Sequence, residues 1–94
     1  NDMSENTENR IKTMIVSRLF LKIEPERIES DKSLVDFYGV DSVSLLELVV
    51  GIEEEFGLQI GDDEFDIRNF STVASLTEFV EKKLAGSTGG ENPN

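Results

Sequence analysis

Apolar residues recur along the chain at helical rather than strand spacing. Ile11, Met14, Ile15 and Leu19, with Phe20 beside the last, recur at spacings of three (11 to 14) and four (11 to 15, 15 to 19), which predicts a first helix over about 5–20 with one buried face. Ser4, Asn6 or Thr7 is a suitable cap for it. Residues 21–38 then lose the period. Pro25 forbids a helix running through this stretch, and Leu21, Ile23, Ile28, Leu34 and Phe37 stand as scattered apolar residues that pin a long loop to the core. A single helical turn is expected over 33–37. The period returns strongly between Ser42 and Phe56, closed by Gly57 as a residue free to adopt positive φ. Leu58 and Ile60 point inward from the loop that follows. A short third helix is predicted from Asp63 to Asn69 with Phe65 as its anchor. Ser71 or Thr72 caps a last helix through Leu84, with Val73, Leu76, Phe79 (or Val80) and Leu84 inward and Lys82 and Lys83 at its carbonyl end.

The expected fold class is therefore all-α: a four-helix bundle with three longer helices, a short third helix and a long first loop. The organisation expected is a flexible leader at 1–6, one domain at 7–85, and a Gly/Ser-containing flexible tail at 86–94.

The helix over 42–56 has more apolar surface than one core needs. On a wheel of 100° per residue, Leu45, Leu48, Val49, Ile52 and Phe56 form the inner face. Val43, Glu47, Val50 and Glu54 lie opposite, flanked by Leu46. Single exposed apolar residues are ordinary. Interleaved with glutamates they also suit a docking surface, in which small apolar contacts supply area and carboxylates steer a basic partner.

Charge sharpens this picture. The formal net charge is −11, from 20 acidic and 9 basic residues. Between Ser33 and Ile67 stand ten acids (Asp36, Asp41, Glu47, Glu53, Glu54, Glu55, Asp62, Asp63, Glu64 and Asp66) and no base. Such a balance opposes binding to nucleic acid and to anionic membranes, and favours basic protein partners found through long-range attraction. The chain has no histidine and no cysteine. That removes Ser-His and Cys-His nucleophiles, imidazole and thiolate metal sites and any disulfide, so an enzyme is not expected. It also fits a reducing compartment, here the cytoplasm. The acids at 62–66 lack the spacing of a calcium loop.

Asp41-Ser42 opens the helix. Both are preferred N-cap types, and a cap is the plain explanation of the pair. Gly39 just before them allows a tight turn that leaves a serine hydroxyl accessible. A phosphodiester on that oxygen would lie near the free N–H groups of the first helical turn.

Gly39-Val40-Asp41-Ser42-Val43, followed by Leu48-Val49-Val50-x-Ile52-Glu53-Glu54-Glu55-Phe56-Gly57-Leu58-x-Ile60, resembles the acyl carrier proteins over about residues 7–84. The resemblance implies an acyl-carrier-type bundle whose Ser42, with Asp41 beside it, carries covalent 4′-phosphopantetheine. It implies that a phosphopantetheinyl transferase attaches the arm from coenzyme A. Acyl intermediates would ride on it as thioesters, presented to acyl-loading and synthase enzymes with basic docking patches. By position, Val43, Leu46, Glu47, Val50, Glu53 and Glu54 would face those partners, with the carrier itself a monomer. Val43 stands where the family signature has leucine, Ser44 where many fatty-acid carriers have an acid, and Gly61 where many have proline. Fatty-acid and polyketide or hybrid pathways are both open, as are two alternatives: a peptidyl or aminoacyl carrier, and an unmodified acidic interaction module.

Overall fold

The computed structural model describes residues 2–90, with side chains described over 5–86. Four α-helices follow in chain order: α1 Asp2–Leu19, α2 Leu34–Tyr38, α3 Ser42–Phe56 and α4 Val73–Gly90, with 3-10 segments at Pro25–Arg27 and Ile67–Phe70. The described residues contain no strand. α1 is the central packing element and lies against both α3 and α4.

Each helix forms where its inner face and its ends agree. In α1, Ile11, Met14 and Ile15 are buried. The helix stops at Phe20, which takes a left-handed φ of 55° while the Leu21 N–H donates back to the Val16 carbonyl. Phe20 is thrown outward, 84% exposed, so it does not belong to the inner face that its spacing suggested. α1 begins at Asp2 and α4 runs to Gly90, so helical backbone takes in 2–6 and 86–90 of the predicted leader and tail. The rest of the predicted leader and tail, residues 1 and 91–94, lies outside the described residues.

The long connection is fastened rather than loose. Ile28 and Leu34 are fully buried. The Leu34 N–H donates to the Ser71 carbonyl at 2.8 Å, and the Ala74 N–H to the Ser30 carbonyl at 2.9 Å. Ile23 and Phe37 are exposed instead of acting as pins. Val40 takes the inward place, and Tyr38 packs on the core with its hydroxyl accepting from the Glu29 N–H. A five-residue helix has room for few inward side chains, and Leu34 takes that place in α2.

The predicted third helix over 63–69 is instead a turn followed by the 3-10 segment Ile67–Phe70. Asp66 caps that segment, accepting from the Arg68 N–H at 2.9 Å, and so breaks the predicted helix in two. The buried anchor is Phe70 rather than Phe65. Phe65 leans on Phe70 with ring centroids 5.1 Å apart, and Phe79 meets its other side at 5.9 Å. Thr72 and Ser75 cap α4 reciprocally: Thr72 Oγ1 accepts from the Ser75 N–H and Ser75 Oγ from the Thr72 N–H. Behind that start, Val73, Leu76 and Val80 complete the core.

Candidate functional site

The turn that presents Ser42 is held from both sides. Ser33 Oγ accepts from the Asp36 N–H and starts α2. Gly39, at φ 67°, ends it. An L side chain rarely adopts that conformation, so glycine suits the position. Val40 is then buried, which fixes the height at which α3 begins.

Asp41, not Ser42, is the N-cap of α3. Its Oδ1 accepts from the Ser44 N–H at 2.9 Å, and its carbonyl accepts from the Leu45 N–H. The Ser44 N–H is the main reason that the Asp41 carboxyl titrates below its ordinary range. Ser42 is the first helical residue, exposed, and among the described residues no hydrogen bond engages its hydroxyl. The capping task that either residue was equipped to perform falls to the aspartate, and the serine oxygen is left free. The first N–H groups of a helix have no intrahelical acceptor, so the surroundings of Ser42 suit an anionic substituent.

Past the serine, α3 divides as its pattern predicts. Leu45, Leu48 and Ile52 are buried, while Val43, Leu46 and Val50 are 76%, 64% and 41% exposed. These three lie along one outer strip beginning next to Ser42.

The acids are arranged differently from the wheel alone. Arg18 reaches across from α1 to two of them, its Nη1 2.7 Å from Glu47 Oε2 and its Nη2 on Glu54 Oε1. The hydrogen bond to Glu47 is the largest cause holding this guanidinium above its ordinary range. Arg10 donates to the Glu55 carboxylate at 2.9 Å and stacks over the Phe56 ring at 4.4 Å. Glu53 is half-buried and accepts the Ile60 N–H at 2.8 Å, tying down the loop after α3. Of the predicted docking acids, none therefore stands free: Glu47 and Glu54 border the apolar strip but are engaged from α1, and Glu53 fastens backbone.

Arg18, Arg10 and Gly51 are the residues that the sequence pattern did not single out. Gly51 is buried in the middle of α3, where glycine costs ~1 kcal/mol relative to alanine. A Cβ there would stand 2.6 Å from Met14 Sδ and 2.7 Å from Arg18 Cδ. The missing side chain is the gap through which Arg18 passes. That unfavourable mid-helix glycine, between glutamates four residues before and three after, was the available signal of a close approach.

Further along, Lys83 donates to Glu64 at 2.6 Å, and Arg68 pairs with Asp66 at 2.7 Å. Among the described residues no group of three or more acids is placed to share a metal ion. The Arg68 side chain holds the Asp66 carboxyl at about 2, against an ordinary value of 3.8. A folded-state value below the unfolded one means that the unfolded chain takes up the proton first. The stabilisation is then present above 3.8 and disappears as pH falls through about 2. Comparing thermal unfolding of the natural chain and Asp66→Asn across that window should show a steeper loss on acidification in the natural chain; parallel curves would contradict this coupling.

Comparisons with known proteins agree with this geometry. The family model described as "Phosphopantetheine attachment site" matches residues 10–80. The acyl carrier protein of Buchnera aphidicola subsp. Acyrthosiphon pisum (strain APS) is 38% identical over 79 residues, covering 84% of this chain and 94% of the relative. That of Bradyrhizobium sp. (strain ORS 278) is 41% identical over 80 residues, covering 85% and 95%. A solution NMR structure of a holo acyl carrier protein from Nitrosomonas europaea superposes with a TM-score of 0.73 at 25% identity, covering 83% of this chain and 95% of that one. Among the described residues no helix is long and apolar enough to cross a membrane.

Proposed function

The chain belongs to the phosphopantetheine-attachment family of acyl carrier proteins, and from that premise we propose that Ser42 is its attachment point. One observation carries the assignment: Asp41 performs the capping of α3, so Ser42 is exposed at the helix start with no hydrogen bond to its hydroxyl among the described residues. The residues present fit the group. In a partner transferase, Ser42 Oγ would form a phosphodiester to the arm and lose its proton as the pyrophosphate link of coenzyme A breaks and adenosine 3′,5′-bisphosphate leaves. The N–H groups opening α3 would face the phosphate. When bound, the arm supplies a thiol on which acyl groups are carried as thioesters.

The chain itself is then a carrier and a substrate rather than a catalyst. Its own residues fix the position of the arm and offer a surface to the enzymes that load and process the cargo, in fatty-acid or polyketide and hybrid biosynthesis. Val43, Leu46 and Val50 supply that surface, beginning one residue from the arm. Their exposure on a helix whose inner face is already complete supports this docking role over ordinary surface scatter. Intact-protein mass spectrometry tests the proposal: with coenzyme A and a promiscuous transferase, the chain should gain one phosphopantetheine. An unchanged mass with several transferases would leave only an unmodified interaction module.

A further inference from the structure

The glutamates of α3 that should attract a basic partner already hold a cation of this chain. Arg18 engages Glu47 and Glu54 together, residues separated by seven positions and hence ~10 Å of helix rise. One side chain spans this distance because it lies across Gly51, and its stem is confined there beside Met14. The Arg18 side chain is only 26% exposed. Its guanidinium is thus a fixed part of the α3 surface, unlike a mobile surface lysine. Counting formal charges, the Glu47–Arg18–Glu54 group presents one negative charge where the two carboxylates alone present two.

We infer that Arg18 is a specificity-determining residue that masks Glu47 and Glu54, so that a partner meets the apolar strip Val43, Leu46 and Val50 first and must displace Arg18 to use the two carboxylates. Partners relying on a cationic pair at this height of α3 are disfavoured by that competition. Partners presenting an apolar patch with a cation nearer Asp41 are not. This rests on the docking role proposed for α3, but the masking itself is a property of charge and packing that can be read without the prosthetic arm.

Two measurements test it. Binding of an oligolysine peptide reads the masking, and the KM of the carrier in phosphopantetheinyl transfer reads its consequence. Arg18→Gln keeps much of the stem over Gly51 and removes the charge. Lys82→Gln, on α4 with Lys82 next to Glu78, makes the same change in net charge elsewhere. Arg18→Gln should tighten oligolysine binding and lower KM about two- to fivefold, the range of exposed ion-pair strengths, with kcat unchanged and a steeper salt dependence. Lys82→Gln should change both less. Equal effects of the two variants would overturn the inference, as would an Arg18→Gln chain that melts earlier but binds as before. Should Arg18→Gln fail to fold, Arg18→Met, which keeps an unbranched stem over Gly51 and also removes the charge, takes its place: tighter oligolysine binding than in the natural chain is expected, and unchanged binding would overturn the masking. A chain that gains no phosphopantetheine would refute the attachment at Ser42, and oligolysine binding would still decide the role of Arg18.

Discussion

Ile52→Ala should destabilise the domain by ~2–5 kcal/mol, enough to leave much of the chain unfolded. Ile52 is completely buried, at the centre of the inner face of α3, in one cluster with Ile11 and Ile15 of α1 and Leu76 and Val80 of α4. Truncation there removes transfer free energy and leaves a cavity that three helices cannot readily close. A domain of this size holds only ~5–15 kcal/mol in total, and a small one belongs at the lower end. Val50→Ala, two residues away on the same helix, is the internal control. Its side chain belongs to the outer strip, and exposed substitutions of this kind stay within ~0.5 kcal/mol. Urea denaturation of the two variants separates the faces. A loss below ~1 kcal/mol for Ile52→Ala, or similar losses for both variants, would contradict the division of α3 into a core face and a partner face.

That division was legible in the sequence because it is local. Asp41 and Gly57 mark the ends of α3, and the 3.6-residue period sorts Leu45, Leu48 and Ile52 from Val43, Leu46 and Val50 without knowledge of any other element. Caps written into neighbouring residues were readable in part: Thr72, one of two candidates beside Ser71, caps α4, whereas Ser33 stood inside the expected turn and is instead the cap of α2. What the sequence did not reveal depends on how elements meet. Phe65 and Phe70 both stand among polar neighbours in sequence, and it is Phe70 that meets Phe79 of α4, in a tilted contact at 5.9 Å, and is buried. Phe20 continues the period of α1, yet the chain reverses there and turns it out. Ile23 and Phe37 are apolar residues of a connection, including α2, whose fastening is done by backbone hydrogen bonds and by Ile28, Leu34 and Val40.

The largest gap concerned charge. The segment from Ser33 to Ile67 contains ten acids and no base, which read as an unshielded negative surface. The packing of α1 on α3 places Arg10 and Arg18 against it from positions 45 and at least 29 residues away in sequence. The steering field of the domain is therefore weaker along the α1 side of α3 than composition suggests. Reversing Glu47 or Glu54 would disturb an internal ion pair as well as any encounter with a partner.

The site itself follows from a division of labour between neighbours. Two residues at the start of α3 could each have served as its cap. The aspartate does so, which makes the helix start rigid, and the serine beside it keeps a free hydroxyl. Ser42→Ala should consequently fold like the natural chain, since it removes no hydrogen bond found among the described residues, while losing every trace of modification. Ser44→Ala should remain modified, because it keeps the Ser44 N–H that Asp41 Oδ1 accepts. The decisive measurement is intact-protein mass after incubation with coenzyme A and a phosphopantetheinyl transferase, run on the natural chain and on Ser42→Ala with helicity checked in parallel. One added phosphopantetheine on the natural chain and none on a folded Ser42→Ala is the predicted result; the same gain on Ser42→Ala would contradict the assignment of the arm to this serine.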